Sequence, residues 1–559
     1  VDLCLQKKLL NMVSNRLGLI LIVLLFSQFF RDISAQENDS YYFFVTFEEK
    51  EKNNEINNPL SFLSQKSMDR RAKSSLAITT EDIPISKKWI ESISQIANTH
   101  FHYALKWQNG IVVSSPDISV KDNYLAFDFV KLVKIIKKPT TASRRSVPLT
   151  IINQYNYGLA SQQTELINIP ILHEFGFRGK GITMAIFDNG FKHVDTFPLF
   201  SHLWNEKRIL GQFDIVEGDD NAIPHGGHGM AVLSTIAALS KDTMTGTAPE
   251  ASFYLFRTED NASETELEEY NWARAAEIAD SVGVDIINSS LGYSLFDDST
   301  TSHTYADLDG KTTVVTRAAN AAFRKGILVI NSAGNSGTRP WRYIIAPADG
   351  MYVLAIGATD SIGNIAAFSS RGPNAAGQLK PNVSALGAGV VVGDGAGAAG
   401  KSNGTSFSAP TIAGAAACLV QAFPKASNNA VFRAIEASSD RYNNPDFDYG
   451  NGIPDFQKAY EILAEKYLPQ QFDQKLIRDF LFYPNPANDF IYLEFIELQS
   501  TPISVSVFNY SGIELLSQDF GFQIGNVSVR VNNLKLSAGI YVIELTRGDY
   551  LQRKIFVTY

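Results

Sequence analysis

Residues Ile182 to Gly190 read ITMAIFDNG, an apolar run closed by Asp188, Asn189 and Gly190. An apolar run of that length with no alternation predicts a strand buried on both faces. Four more stretches have the same character: SFYLFR (252–257), VDIINSSLG (284–292), ILVINSAGN (327–335) and YVLAIGAT (352–359). Helix-like stretches lie between them, at Thr265 to Val282 and Ala318 to Lys325. Buried strands alternating with helices predict an α/β unit, a doubly wound and mostly parallel sheet. In such a sheet ligands gather at the carboxyl ends of the strands. The residues to inspect are therefore Asp188, Ser290-Leu291-Gly292 and Gly334-Asn335.

The chain on either side reads differently. Between Tyr41 and Val133, strand-like YYFFVTF, GIVVSS and YLAFDFV mix with helix-like WIESISQIA, a small α+β unit. Lys131, Lys134, Lys137, Lys138, Arg144 and Arg145 follow, with Pro139 to Ser143 between the two charge groups. That composition predicts an exposed linker, either a plain solvated loop or a processing site. Further upstream, Lys7, Lys8 and Arg16 precede the apolar run Leu17 to Phe30, and Ile33-Ser34-Ala35 follows. The pattern is that of a secretory signal peptide, with Met12 as the expected start, and the run is short of the roughly 20 apolar residues of a membrane span. No other segment reads as membrane-spanning. After about Leu468 come alternating stretches broken by Pro, Asn and Gly, including PISVSVFNYSG and GIYVIELTRGDYLQRKIFVTY, which predict an antiparallel β-sandwich. The expected division is 1–35 signal peptide, 36–140 pro-segment, 141–468 α/β domain and 480–559 β-domain.

Composition narrows the function. The 559 residues carry 49 Lys and Arg against 58 Asp and Glu, a formal charge of −9. Phosphate neutralisation needs a basic face, so nucleic acid is excluded as a general partner. Two cysteines, Cys4 and Cys418, cannot staple a disulfide scaffold, so the domains must cohere by apolar burial.

Three polar residues sit where helices or strands begin or end: Asp188, His228 before the apolar stretch AVLSTIAAL, and Ser406 in Gly404-Thr405-Ser406-Phe407-Ser408-Ala409-Pro410. A hydroxyl, an imidazole and a carboxylate are what nucleophilic acyl transfer requires. A serine that starts a helix also has free backbone N–H groups and the positive dipole end beside it. Each residue has a plainer reading, Ser406 as an N-cap and Asn335 as a turn residue. A side-chain amide at Asn335 would also suit an oxyanion donor. His225 and His228 are three apart, but Gly226 and Gly227 between them argue against a helical metal pair.

The motifs FDNG, HGMAV, GTAPEA, SLG, AGNSG, FSSRGP, KPNVSALG and GTSFSAP, in that order from about Tyr155 to Tyr467, resemble those of the subtilisin-type serine peptidases. The resemblance implies an orienting Asp188, a general base His228, a nucleophile Ser406 and an oxyanion hole of Asn335 and the Ser406 N–H. It implies substrate contacts from Ser290, Leu291, Gly292, Ala333 and Gly334. Met230, Phe407, Asn382 and Leu386 depart from the family pattern, outside the triad. The chemistry implied needs no cofactor. Calcium is common in such enzymes; Glu217 to Asn221 and Asp394 are acidic, but no complete ligand set is readable. FLSQKSMDRR and KWIESI are similar to inhibitory pro-segments. Tyr483-Pro484-Asn485-Pro486-Ala487, Gly539-Ile540-Tyr541 and Lys554 to Val557 resemble the sorting domain of type IX secretion substrates. The implied partners are protein or peptide substrates, the chain's own pro-segment and the secretion machinery, and the implied location is the cell surface or medium, reached through the periplasm. The competing expectation is a surface adhesin on an inactive fold of the same kind.

Overall fold

The computed structural model describes residues 40–50, 54–138, 157–240, 243–394, 398–467 and 480–558, apart from 488, 510, 533 and 549. The expected signal peptide and residues 139–156, with Arg144 and Arg145, lie outside the described residues, while Lys131, Lys134 and Lys137 of the basic segment expected as an exposed linker lie in a strand, Val130–Lys137. Among those described, no helix is long and apolar enough to cross a membrane.

The first unit is a four-stranded antiparallel sheet of β1 (Tyr41–Phe47), β2 (His100–Leu105), β3 (Gly110–Ser115) and β4 (Val130–Lys137), in the order β2-β3-β1-β4. Strand period two sends alternate side chains to opposite faces. Phe43, Val45 and Phe47 bury against Trp89, Ile93 and Tyr124 in the unit's own core. Tyr42 and Phe44 point the other way and join the core of the next unit, with Phe44 against Tyr270 at 4.6 Å.

That next unit is built on seven parallel strands. They are β5 (Thr183–Asp188), β6 (Ile209–Asp214), β9 (Ser252–Arg257), β10 (Ile286–Ser289), β11 (Leu328–Ser332), β12 (Val353–Thr359) and β13 (Val383–Leu386). A small ribbon, β7 (Leu239–Ser240) with β8 (Met244–Thr245), lies outside the sheet. The order is β13-β12-β11-β10-β5-β9-β6, so the chain changes direction across the sheet between β5 and β10. All five sequence-expected strands are present. The helix Leu267–Val282 matches its expected span, and the helix Val314–Arg324 starts one turn earlier than expected. Helix Thr405–Ala422 is buried almost all round and packs on both the sheet and the helix His228–Ala237. In the Gly/Ala-rich stretch around 389–400, β14 (Ala388–Gly393) pairs antiparallel with β15 (Ala399–Asn403).

The last unit is antiparallel, and its two longest strands run to 20 and 19 residues. A ribbon of β17 (Phe490–Asn509) and β18 (Glu514–Asn532) forms its spine. The first part of β17 pairs with β16 (Leu481–Tyr483) and its last part with β19 (Gly539–Arg547), which pairs with β20 (Tyr550–Thr558). Its core, including Ile491, Val505, Val529, Ile543 and Phe556, is a separate cluster.

The first unit is docked on the second through buried charge. Arg71 reaches Asp280 at 2.7 Å and Asp82 at 3.0 Å, Lys325 reaches Asp82 at 3.0 Å, and Arg70 pairs with the other oxygen of Asp280. Glu277 accepts the backbone N–H groups of Lys106 and Trp107 at 2.8 and 2.7 Å.

Candidate active site

The point where the sheet reverses direction is where an open α/β sheet leaves a crevice. Asp188 closes β5 and Ser290 follows β10, so both border it. Asp188 is fully buried. Its Oδ1 accepts from His228 Nδ1 at 2.8 Å and from the Asn189 N–H at the same distance. His228 is the first residue of its helix, and the next residue is what allows the approach. A methyl group on Gly229 would lie 2.5 Å from the Gly190 carbonyl and 2.8 Å from Asp188 Cβ, so only glycine lets the helix start press on this turn. Burial pulls the His228 ring down in pKa, but the Asp188 charge and hydrogen bond outweigh it and leave the ring raised.

Ser406 lies in the first turn of Thr405–Ala422, where backbone N–H groups have no intrahelical partner. Its hydroxyl donates to the Ser290 carbonyl at 3.3 Å, while its own carbonyl accepts from Ser290 Oγ at 2.8 Å. The structure thus joins Asp188 to His228 directly and leaves the Ser406 hydroxyl turned to Ser290. Such bonds commonly tighten only when substrate is bound.

Asn335 is exposed, but its amide is not free to turn. Its Oδ1 accepts from the Thr405 N–H at 2.9 Å and the Thr405 hydroxyl at 3.0 Å, and that hydroxyl accepts the Gly334 N–H at 3.2 Å. With the oxygen engaged, the amide presents Nδ2 outward as a donor. Thr405 is therefore a residue that motif reading missed, since nothing in the sequence marks a threonine as a lock for an amide seventy positions away.

The expected substrate-contact residues divide into two kinds. Leu291 and Gly292 are half-buried and line the crevice. Ala333 and Gly334 are buried with their peptide groups engaged: Ala333 N–H donates to Ile356 and the Gly334 carbonyl accepts from Ser370, both at 2.9 Å. They form wall rather than hydrogen-bonding edge.

His225 stands apart from His228. Its Nε2 lies 3.4 Å from Asp214 and 3.6 Å from Glu217, and Arg257 contacts the same carboxylates at 2.7 and 2.8 Å. Calcium takes six to eight oxygen ligands, and here a guanidinium already sits between the two acids, so these residues do not fit that ion. Asp394 directly follows β14, and its Oδ1 accepts the Ala398 N–H at 2.9 Å. A second acidic group, Glu259, Glu264 and Glu268, lies behind Tyr293. Burial, then the charge of Glu264, push Glu259 up to about 8, and the Tyr293 hydroxyl donates to it at 2.5 Å.

Residues 179–452 match the subtilase family, 42–148 the peptidase S8 propeptide domain of Bacteroidota, and 481–558 the secretion system C-terminal sorting domain. The thermostable alkaline protease of Halalkalibacterium halodurans is 30% identical over 325 residues, 58% of this chain and 78% of that protein. This chain belongs to the subtilase family. Subtilisin E of Bacillus subtilis is 31% identical over 297 residues, covering 52% of the subtilase described here and 69% of subtilisin E. Human membrane-bound transcription factor site-1 protease is 29% identical over 328 residues, 55% of this chain but only 28% of that much longer protein. The subtilase therefore carries a propeptide domain ahead of its peptidase domain and a sorting domain after it, and the sorting domain marks it as secreted or held at the cell surface.

Proposed function

We propose that the protein is a secreted serine endopeptidase acting through Asp188, His228 and Ser406 by way of an acyl-enzyme. The observation that carries this reading is the buried Asp188 bonded to His228 Nδ1, with Ser406 at a helix start beside the locked Asn335 amide. Asp188 fixes the ring with its proton on Nδ1, leaving Nε2 as the base. Rotation about the Ser406 Cα–Cβ bond takes the hydroxyl from the Ser290 carbonyl towards that nitrogen. As Oγ attacks a peptide carbonyl, His228 takes the proton. The oxyanion that forms accepts from Asn335 Nδ2 and the Ser406 N–H, both held in place beforehand, so little reorganisation accompanies the charge. His228 then protonates the departing amine, and water releases the acyl group by the reverse sequence.

The test is Ser406→Ala. Full-length protein carrying it should lose both casein hydrolysis and labelling by a fluorophosphonate probe while remaining folded by circular dichroism. Retained labelling would remove Ser406 from the mechanism, and a wild-type protein that neither hydrolyses casein nor takes the label would be the adhesin instead.

A further inference from the structure

Ile345 lies between the two chain segments that leave β10 and β11. These strands run parallel with Ser289 opposite Asn331. Beyond that pair the chains continue as Ser290-Leu291-Gly292 and as Ser332-Ala333-Gly334. The Ser290 carbonyl touches Ser406 Oγ, and Asn335 directly follows Gly334. A substrate carbonyl held for attack has its oxygen towards Asn335 and its leaving amine towards His228. The remaining substituent, the residue on the acyl side, is then directed into the gap between the two segments.

Ile345 fills that gap. A methyl group built on Gly292 would lie 2.5 Å from Ile345 Cδ1 and Cγ1, and one built on Gly334 would lie 3.1 Å from the same two atoms. One side chain thus touches both walls, at the two places where the walls have no side chain of their own. Ile345 is also held there. Its N–H donates to the Ala333 carbonyl at 3.3 Å, and the next residue, Ala346, exchanges hydrogen bonds of 2.8 and 3.0 Å with Tyr293. The segment is stitched to both walls, and a β-branched side chain is stiff at χ1. Ile345 is half-buried, so part of it remains open to the crevice as the floor of a shallow slot.

We infer that Ile345 is a specificity-determining residue that restricts the acyl-side position of the scissile bond to small side chains such as Gly, Ala and Ser. A Phe or Leu entering the slot would need the volume that Ile345 occupies, and overpacking of a close-packed site is resisted. The inference rests on the serine-peptidase reading above.

The test uses the full-length chain, matured during export, with active enzyme counted by fluorophosphonate labelling. Quenched peptides differing only in the residue before the scissile bond (Ala, Leu or Phe) are compared by kcat/KM. Wild type should favour Ala over Phe by at least about 100-fold, and Ile345→Gly should raise the Phe-to-Ala ratio by at least about tenfold. Ile345→Val removes one methylene and threatens folding least, and it should raise the Leu-to-Ala ratio a few-fold. A wild type that cleaves Phe as well as Ala overturns the inference, as do variants that leave both ratios unchanged. Labelled enzyme with altered ratios supports it. Failure of every peptide together with failure of labelling instead overturns the peptidase reading, and this inference with it.

Discussion

At His228, burial and charge oppose each other, and the outcome sets a pH dependence. Burial disfavours the imidazolium, while Asp188, itself buried and bonded to Nδ1, favours it and prevails. A base must be neutral to accept the Ser406 proton, so a raised pKa moves the rising limb of kcat/KM to higher pH. The expected midpoint lies above the ordinary histidine value of about 6.5, and a maximum near pH 4 would point to carboxylate chemistry. Asp188→Asn removes the charge, so the limb should move towards lower pH while kcat falls by about 10⁴, the loss known for this change in a related triad. At Asn335 the proposed role predicts a loss in kcat alone, because a hydrogen bond to an oxyanion strengthens only as that charge forms. Asn335→Ala should lower kcat by about 10²–10³ with KM little changed, a magnitude taken from a subtilisin. An unchanged kcat would leave Asn335 a turn residue. Asp188, His228, Ser406 and Asn335 were legible because each ends or begins an apolar element in a known motif. Thr405 and Ile345 were not, since what each does depends on neighbours that only folding brings together.

At the scale of elements, the strands read most securely were those with no polar face. Thr183–Asp188 and Ser252–Arg257 are interior to the sheet, and every residue between their polar ends is apolar or aromatic. Ile209–Asp214 went unread because it is an edge strand, mostly half-buried and interrupted by Gly211 and Gln212. The docking of the propeptide helix Gln65–Lys73 was equally hidden. Its sequence, QKSMDRRAK, looks like a solvated face, yet Arg70 and Arg71 are buried on Asp280. A buried ion cluster is costly unless every member is present, and deleting one partner strands the others, a loss of about 3–5 kcal/mol. Asp280→Ala in the full-length chain should therefore release the propeptide domain once the linker is cut. Size-exclusion chromatography after processing should show wild-type propeptide eluting with the peptidase domain and the variant's eluting apart. Co-elution in both would place the docking energy in the apolar face of the sheet, where Phe44 meets Tyr270.

For the whole molecule, routing and chemistry fall on different units. The sorting domain buries its own apolar residues, from Phe480 to Phe556, in a cluster that shares none with the peptidase core. Strand β18 approaches the short helix Pro170–Glu174, which holds none of the candidate catalytic residues. Ending the chain near Gln470 should therefore expose little of the peptidase interior, and Asp188, His228, Asn335 and Ser406 would all remain. What such a chain would lack is the second address. A signal peptide carries a protein across one membrane, and a surface or extracellular enzyme of a two-membrane cell must cross another. The truncated protein should therefore mature into active peptidase and accumulate in the periplasm. Fractionated cells, assayed for peptide hydrolysis in periplasm, surface and medium, decide the point. Truncated enzyme in the medium at full-length levels would make the β-domain a spacer or binding module. Truncated enzyme that stays periplasmic and inactive would show that the β18 contact supports the peptidase fold, because a domain that served only as an address could not silence a site to which it contributes no residue.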